Sequence, residues 1–392
     1  MKAGMFLIFW MVFRLFSLDA DARETDVPIW QVEEETEEEA ALLQQQLLDE
    51  LDLQEADAAL QEIFGEERVS LKAYVLSLIK GEIPLDLEEL GLIIRENVIG
   101  ALTQQQKTAA YVLALVVISC AFANFANVFE KSQVSEVTFY MMYFLLFTIL
   151  IRVFYGLSEL TQETVEKMLT FMKVLMPTYL AAAVLAGGSV SGAAFYELIL
   201  GFIGLMQWLL RYGVIPAANL YMICTLLNQL SKEDYLSRMS ELLKGLVDWA
   251  LKTMAAVVIG LQAVQNLILP AVDSLKKTLL QKAGGSLPGV GNLFNSVTEV
   301  LFGSAVLIKN AVGVAGLILL LVICAAPLVR LGTCSVLYRL IGAVLQPVAD
   351  KRMTECVGGI GEGALLLFKV VATTGALFFI SLAMAVAAVK GG

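Results

Sequence analysis

Beyond residue 107 the apolar positions of this chain gather into runs of about twenty, the length a helix needs to cross a bilayer. Before residue 107 they recur at helical spacing among acids and glutamines. The clearest runs are Thr108–Phe129, Val137–Leu157, Asp248–Leu269, Ala305–Val329 and Ala364–Val389. Between 174 and 230 the runs Val174–Ala186, Ala193–Leu210 and Val214–Leu230 are shorter and are cut by Gly187, Gly188, Gly192, Gly213 and Pro216. Interrupted segments of this kind are re-entrant or packed inside a bundle that satisfies their freed backbone groups. The pattern predicts an all-α, polytopic transmembrane helical bundle of about six to eight spans over residues 107–392.

The N-terminal third is different. Residues 1–22 read as an export signal: Lys2, an apolar run from Met5 to Phe13, and Ala20-Asp21-Ala22 in the small-x-small cleavage pattern. An uncleaved first span is the competing reading. Residues 23–106 form an acidic, partly disordered helical segment outside the cytoplasm. Its run from Glu33 to Glu39 holds six glutamates, whose mutual repulsion favours a solvated linker. After it, Leu43, Leu47 and Leu51, then Ala56, Leu60, Ile63 and Phe64, make an amphipathic stripe. Leu71–Ile79 is a second short helix closed by Gly81 and Pro84, and Leu87, Leu90, Ile93, Ile94 and Val98 make a third. The stripe must pack on itself, on a partner or on the membrane surface, and core packing is the simplest use.

Composition fixes the class. With 58% hydrophobic and 17% charged residues the chain is far more apolar than a soluble domain, which has about 45–50% apolar and about 25% charged residues. The net charge of −11 is local: Arg23 to Glu96 holds 21 acidic and 5 basic residues, so the rest of the chain is mildly basic. An exported N-terminus places the basic segments Ser231–Gly245 and Arg330–Cys356 in the cytoplasm, as the positive-inside bias requires. Lys276, Lys277 and Lys282 fall on the other side and run against it.

The chain has no histidine, which removes the commonest general base and the usual zinc ligand. Its five cysteines show no CxxC spacing, and Cys120, Cys224 and Cys324 lie in apolar runs as small hydrophobes. No GxSxG, HExxH or phosphate-binding glycine loop is present, nor a basic, aromatic-rich nucleic-acid surface. No catalytic, cofactor or metal site is expected, and no enzyme.

The sharpest irregularity is Lys282–Gly316, where a Gly/Pro loop leads into an apolar run carrying Lys309 and Asn310. Such groups are costly in lipid unless protein or water satisfies them. Lys309, Asn310, Gly284, Gly285, Pro288 and Gly289 are therefore candidates for assembly or gating, with Glu197 as the acidic residue of a related unit. A lysine near a helix end also snorkels to the headgroups without further function. Arg152, Lys252 and Lys369 fit that span-end reading better. The related unit comes from a possible internal repeat, about 174–260 and 271–392. Ala186-Gly187-Gly188-Ser189 recurs as Ala283-Gly284-Gly285-Ser286, and Gly213–Cys224 matches Gly313–Cys324 at five of twelve positions. Chance likeness between Ala/Gly/Leu-rich helices is the rival explanation.

Together the export signal, the acidic helical segment, the loop Lys282-Ala283-Gly284-Gly285-Ser286-Leu287-Pro288-Gly289-Val290-Gly291 and the element Leu307-Ile308-Lys309-Asn310-Ala311-Val312-Gly313 resemble the stage III sporulation protein AE family of endospore-forming bacteria. The resemblance covers the whole length. It implies a component of the multi-protein channel or secretion-like complex between mother cell and forespore, in the mother-cell membrane around the forespore, with the N-terminal segment in the intermembrane space. The partners it implies are other stage III sporulation membrane proteins, ring-forming subunits and a cytoplasmic ATPase. It implies no catalytic residues. From the residues alone a second class stays open, a stand-alone secondary transporter, favoured by the broken helices, the possible repeat and the intramembrane polar groups.

Overall fold

The computed structural model describes residues 45–48, 51, 53–64, 70–81, 87–128, 132–186, 201–230, 234–284 and 291–388. The described residues are helical, joined by short turns. They belong to one compact unit, Leu43–Gly392. In chain order the helices are α1 (Gln54–Phe64), α2 (Leu71–Ile79), α3 (Leu87–Val128), α4 (Ser132–Leu185), α5 (Ile215–Asn228), α6 (Ser237–Gly284), α7 (Gly291–Leu345) and α8 (Lys351–Ala388). A π-helical turn, Leu210–Val214, joins the 201–209 helix to α5, so that Gly201–Asn228 is one span-length segment. Among the described residues four segments are long and apolar enough to cross a membrane: Phe139–Leu185, Gly201–Asn228, Gly303–Leu345 and Lys351–Ala383.

The helices are longer than the hydropathy suggests. The run Val137–Leu157, expected as a span, and Val174–Ala186, expected as a short re-entrant or bundle-packed segment, are the two ends of α4, which continues through Pro177. α4 has 54 residues and α7 has 55, about 80 Å each at ~1.5 Å per residue, against a hydrocarbon core of ~30 Å. The polar stretch between the two runs of α4 does not break the helix because its polar positions share one face. Glu159, Gln162, Glu163, Glu166 and Lys167 point outward, while Leu157, Thr161, Val165, Met168 and Leu169 on the other face stay in the core. The buried threonines return their hydroxyls to the preceding turn: Thr161 Oγ1 donates to the Leu157 carbonyl at 2.9 Å and Thr164 Oγ1 to Leu160 at 2.7 Å.

α7 and α8 form the most extensive pairing, an antiparallel hairpin that also packs on α4. Its register is marked by small residues. Gly342 faces Gly358, Ser335 faces Gly361, and Gly375 faces Cys324, whose sulfur lies against Met168 of α4. Small residues let backbones approach closely where no aqueous hydrophobic force drives helices together. The closest approach to a backbone atom is at Gly361. A Cβ there would lie 2.6 Å from Arg339 Cγ and 2.8 Å from the Ser335 carbonyl oxygen.

The N-terminal amphipathic stripe is part of this core. Leu48, Leu51, Leu53, Ala56 and Leu60 are buried with Leu71 and Val75 of α2, and α1 packs on α4 while α2 packs on α7. Asp57 ties the two short helices: its carboxylate accepts the Leu71 N–H at 2.6 Å and the Ser70 hydroxyl at 3.0 Å, satisfying donors at the start of α2. The third predicted stripe opens α3, which continues without interruption into the first apolar run. The proposed signal lies outside the described residues. The paired repeat segments differ locally: Gly213 sits in the π turn, whereas Gly313 lies inside α7 against Tyr179 and Val386.

Candidate functional site

The sequence candidates fall partly within and partly outside the described residues. Gly284 is the last residue of α6; Gly285, Pro288, Gly289 and Glu197 lie outside the described residues. Lys309 and Asn310 are on α7. Lys309 is 1% exposed and Asn310 half-buried, so the lysine does not reach outward as a snorkelling residue would. One turn on, Gly313 lies against Tyr179 of α4 and Val386 of α8, and Tyr179 donates to the Ala385 carbonyl at 2.9 Å. Lys309 thus sits where the C-terminal turns of α4 and α8 close on α7. Among the described residues none forms a hydrogen bond or ion pair with its ammonium.

A second group of polar residues, only partly visible in the sequence, joins α5, α6 and α8. Glu362 receives Lys244 Nζ at 2.9 Å and the Tyr221 hydroxyl at 3.3 Å. Two turns further along α8, Lys369 Nζ lies 2.8 Å from Asp248 Oδ1. α6 therefore offers a base and then an acid four residues apart, and α8 an acid and then a base seven apart, so opposite signs meet at both levels. The bond to Glu362 holds the Lys244 ammonium above the ordinary lysine range, with burial opposing it. Lys369, expected near a span end, lies within α8 and is spent on Asp248. Lys252 and Arg152 are exposed on α6 and α4, Arg152 within the span-length segment Phe139–Leu185.

Neighbouring contacts extend the pattern. Ser158 donates to Asn219 Oδ1 at 2.7 Å, Arg211 pairs with Glu166 at 3.3 Å and Lys173 donates to Gln207 at 2.6 Å, all between α4 and the segment ending in α5. The Tyr143 hydroxyl of α4 donates to the Leu226 carbonyl and lies 3.5 Å from Cys356 Sγ. At the start of α8 the Arg352 guanidinium stacks 3.7 Å over the Phe139 ring. These groups fasten helix to helix. Among the described residues no cluster of acids and cysteines could hold a metal ion.

Glu362 and Tyr221 also stand at the inner end of a polar cleft of about 860 Å³ between α5, α7 and the first turns of α8. The sequence signal for it was the glycine-rich run Gly358-Gly359-Ile360-Gly361-Glu362-Gly363, where an acid sits among residues with no side chain to fill the space.

A family model described as stage III sporulation protein AE matches residues 69–389. The stage III sporulation protein AE of Bacillus subtilis (strain 168) is 26% identical over 278 residues, covering 70% of each chain. No solved structure matches. With a family model spanning most of its length, the chain belongs to the stage III sporulation protein AE family.

Proposed function

We propose that the protein is a non-enzymatic integral membrane component of a multi-protein channel or secretion-like complex between mother cell and forespore, needed for forespore development. It would sit in the mother-cell membrane with its N-terminal segment in the intermembrane space. Its partners would be other stage III sporulation membrane proteins, ring-forming subunits and a cytoplasmic ATPase that supplies the energy this chain has no motif to harvest.

The observation that carries the reading is the family match over residues 69–389 on a bundle with four span-length helices. The polar chemistry supports it: acids and bases inside the bundle pair between helices, as in Lys244–Glu362 and Lys369–Asp248. Mild detergent extraction of sporulating cells, with affinity capture of this chain, is the test. Co-purification of the other stage III proteins and no solute flux by the chain alone in liposomes are expected. Flux by the purified chain alone, with no partner retained, would establish a stand-alone transporter instead.

A further inference from the structure

We propose that the cleft between α5, α7 and α8 is a water-filled vestibule at bilayer depth, admitting small hydrophilic solutes from the end of the bundle where α5 ends and α8 begins. Its walls carry Thr225, Gln229, Arg339, Gln346, Glu355 and Glu362, and its floor is Gly342, Gly358 and Gly359. Gly358 faces open space: a Cβ there would meet no atom within 4 Å. At the rim Lys351 pairs with Glu355 at 3.6 Å, and at the inner end Lys244 closes on Glu362 at 2.9 Å.

Depth makes the cleft informative. The part of α8 that forms it is level with α4 from Tyr143 to Phe154: Tyr143 touches Cys356, and a Cβ on Gly363 would lie 2.7 Å from the Phe154 ring. Around the Tyr143 end of that stretch α4 turns Met141, Phe144 and Leu145 outward, 71%, 55% and 52% exposed, and Arg152 is exposed at its other end. α3, packed on α4, exposes Tyr111, Val117 and Ile118. Neither helix has a charged residue from Thr108 to Val128 or from Val137 to Ile151. That surface belongs in lipid. Across the same bundle at the same depth, charged and amide side chains line an open volume of about 860 Å³, which places at bilayer depth α7–α8 residues that the positive-inside bias alone assigns to the cytoplasm. Polar groups at such depth are held by water or by protein, and a volume this large with several polar partners holds water readily. The lining carries both signs, Arg339 and Lys351 against Glu355 and Glu362, so it suits hydrophilic solutes without selecting strongly for net charge.

The inference rests on the membrane reading and is separable from membership of the complex. Thr225→Cys, Gly358→Cys and Leu145→Cys would be made singly in a Cys224→Ser full-length chain; the other native cysteines are buried. Each variant is treated in open membrane fragments with a membrane-impermeant, charged maleimide. Thr225→Cys and Gly358→Cys should label at least about tenfold faster than Leu145→Cys, because a thiol in lipid neither ionises nor meets the reagent. Cleft cysteines as slow as Leu145→Cys would mean a dry or protein-filled cleft. Leu145→Cys as fast as the others would mean that this level lies outside the bilayer. Either result overturns the proposal. The two cleft positions are on different helices, so misfolding of one variant leaves the other. Partner capture on the same membranes reports on the complex separately.

Discussion

The helix contact closest to backbone gives the sharpest test of the packing. Gly361→Ala places a methyl group 2.6 Å from Arg339 Cγ, 2.8 Å from the Ser335 carbonyl oxygen and 3.0 Å from the Arg339 nitrogen. Arg339 Cγ can swing aside, but the two backbone atoms belong to α7 and move only if the helix moves. The same shift would stretch the Ser335 hydroxyl's 2.7 Å bond to the Gly361 carbonyl. Overpacking of this kind costs about 1–3 kcal/mol. Three residues away, Gly358→Ala meets nothing within 4 Å and gains about 0.5–1 kcal/mol of helix propensity. The two substitutions, identical in chemistry and in helix, should therefore separate by about 1.5–4 kcal/mol. At roughly 1 °C per kcal/mol for a chain of this size, their melting points in detergent should differ by about 2–4 °C, read by fluorescence-detected size exclusion after heating. Equal melting points, or a less stable Gly358→Ala, would refute the register of α7 on α8.

Lys369→Met alone should lower stability in detergent by about 1–3 kcal/mol, since the half-buried Asp248 then loses its partner; Asp248→Asn combined with Lys369→Met should recover much of that loss, and additive losses would argue against the pair. Asp57→Ala removes the acceptor for Leu71 N–H and Ser70 Oγ and should cost about 1 kcal/mol, seen as faster proteolysis within α1 and α2 with the bundle intact. Lys309→Leu should insert normally yet reduce spore yield and partner capture, and full sporulation would show that the buried ammonium is dispensable. Lys309→Arg should fail nearly as badly, because a 1% exposed site has little room for a longer, forked group.

Helix was legible almost everywhere from period and run length, but the number of helices was not. Hydropathy averages over all faces, so the polar outer face of α4 from Glu159 to Lys167 separates a span from a short interrupted run when read along the sequence. Face by face, the buried positions Leu157, Thr161, Val165 and Met168 keep the helical period through it. The N-terminal stripe was legible as something that must be buried, but not as part of the α4–α7 core, because its partners are more than seventy residues away. Lys309 could be singled out as a charge in an apolar run. Its burial beside the ends of α4 and α8 could not, since that depends on the register of three helices. The charges of α6 and α8 were visible one by one, but the spacing that matches them, four residues on one helix and seven on the other, has meaning only once their crossing is known.

Helix length and surface chemistry together limit where lipid can lie. An 80 Å helix cannot be wholly immersed in a core of ~30 Å, so part of α4 and of α7 stands beyond it. On α3 the exposed residues are mixed through Lys107, where Arg95, Glu96, Thr103, Gln106 and Lys107 stand beside Ile99 and Leu102, and apolar from Ala110 to Ala121; on α4 they are apolar through Leu145 and include Arg152, Glu159, Glu163 and Glu166 thereafter. The two helices pack on each other, and their changes of character place one lipid boundary near Thr108 and Arg152. The Lys244–Glu362–Tyr221 contact falls at nearly the same level, since Gly363 touches Phe154 and Met222. The ion pair that closes the cleft therefore stands close to the far boundary rather than in the middle of the lipid. A polar volume that reaches from the start of α8 to that pair, about 17 Å at ~1.5 Å per residue, crosses about half of the ~30 Å that lipid covers on the α3–α4 side. Opening Lys244 from Glu362 would then connect the cleft with the polar face of α4 and Arg211, and Glu362→Gln is the substitution that should make this passage leak.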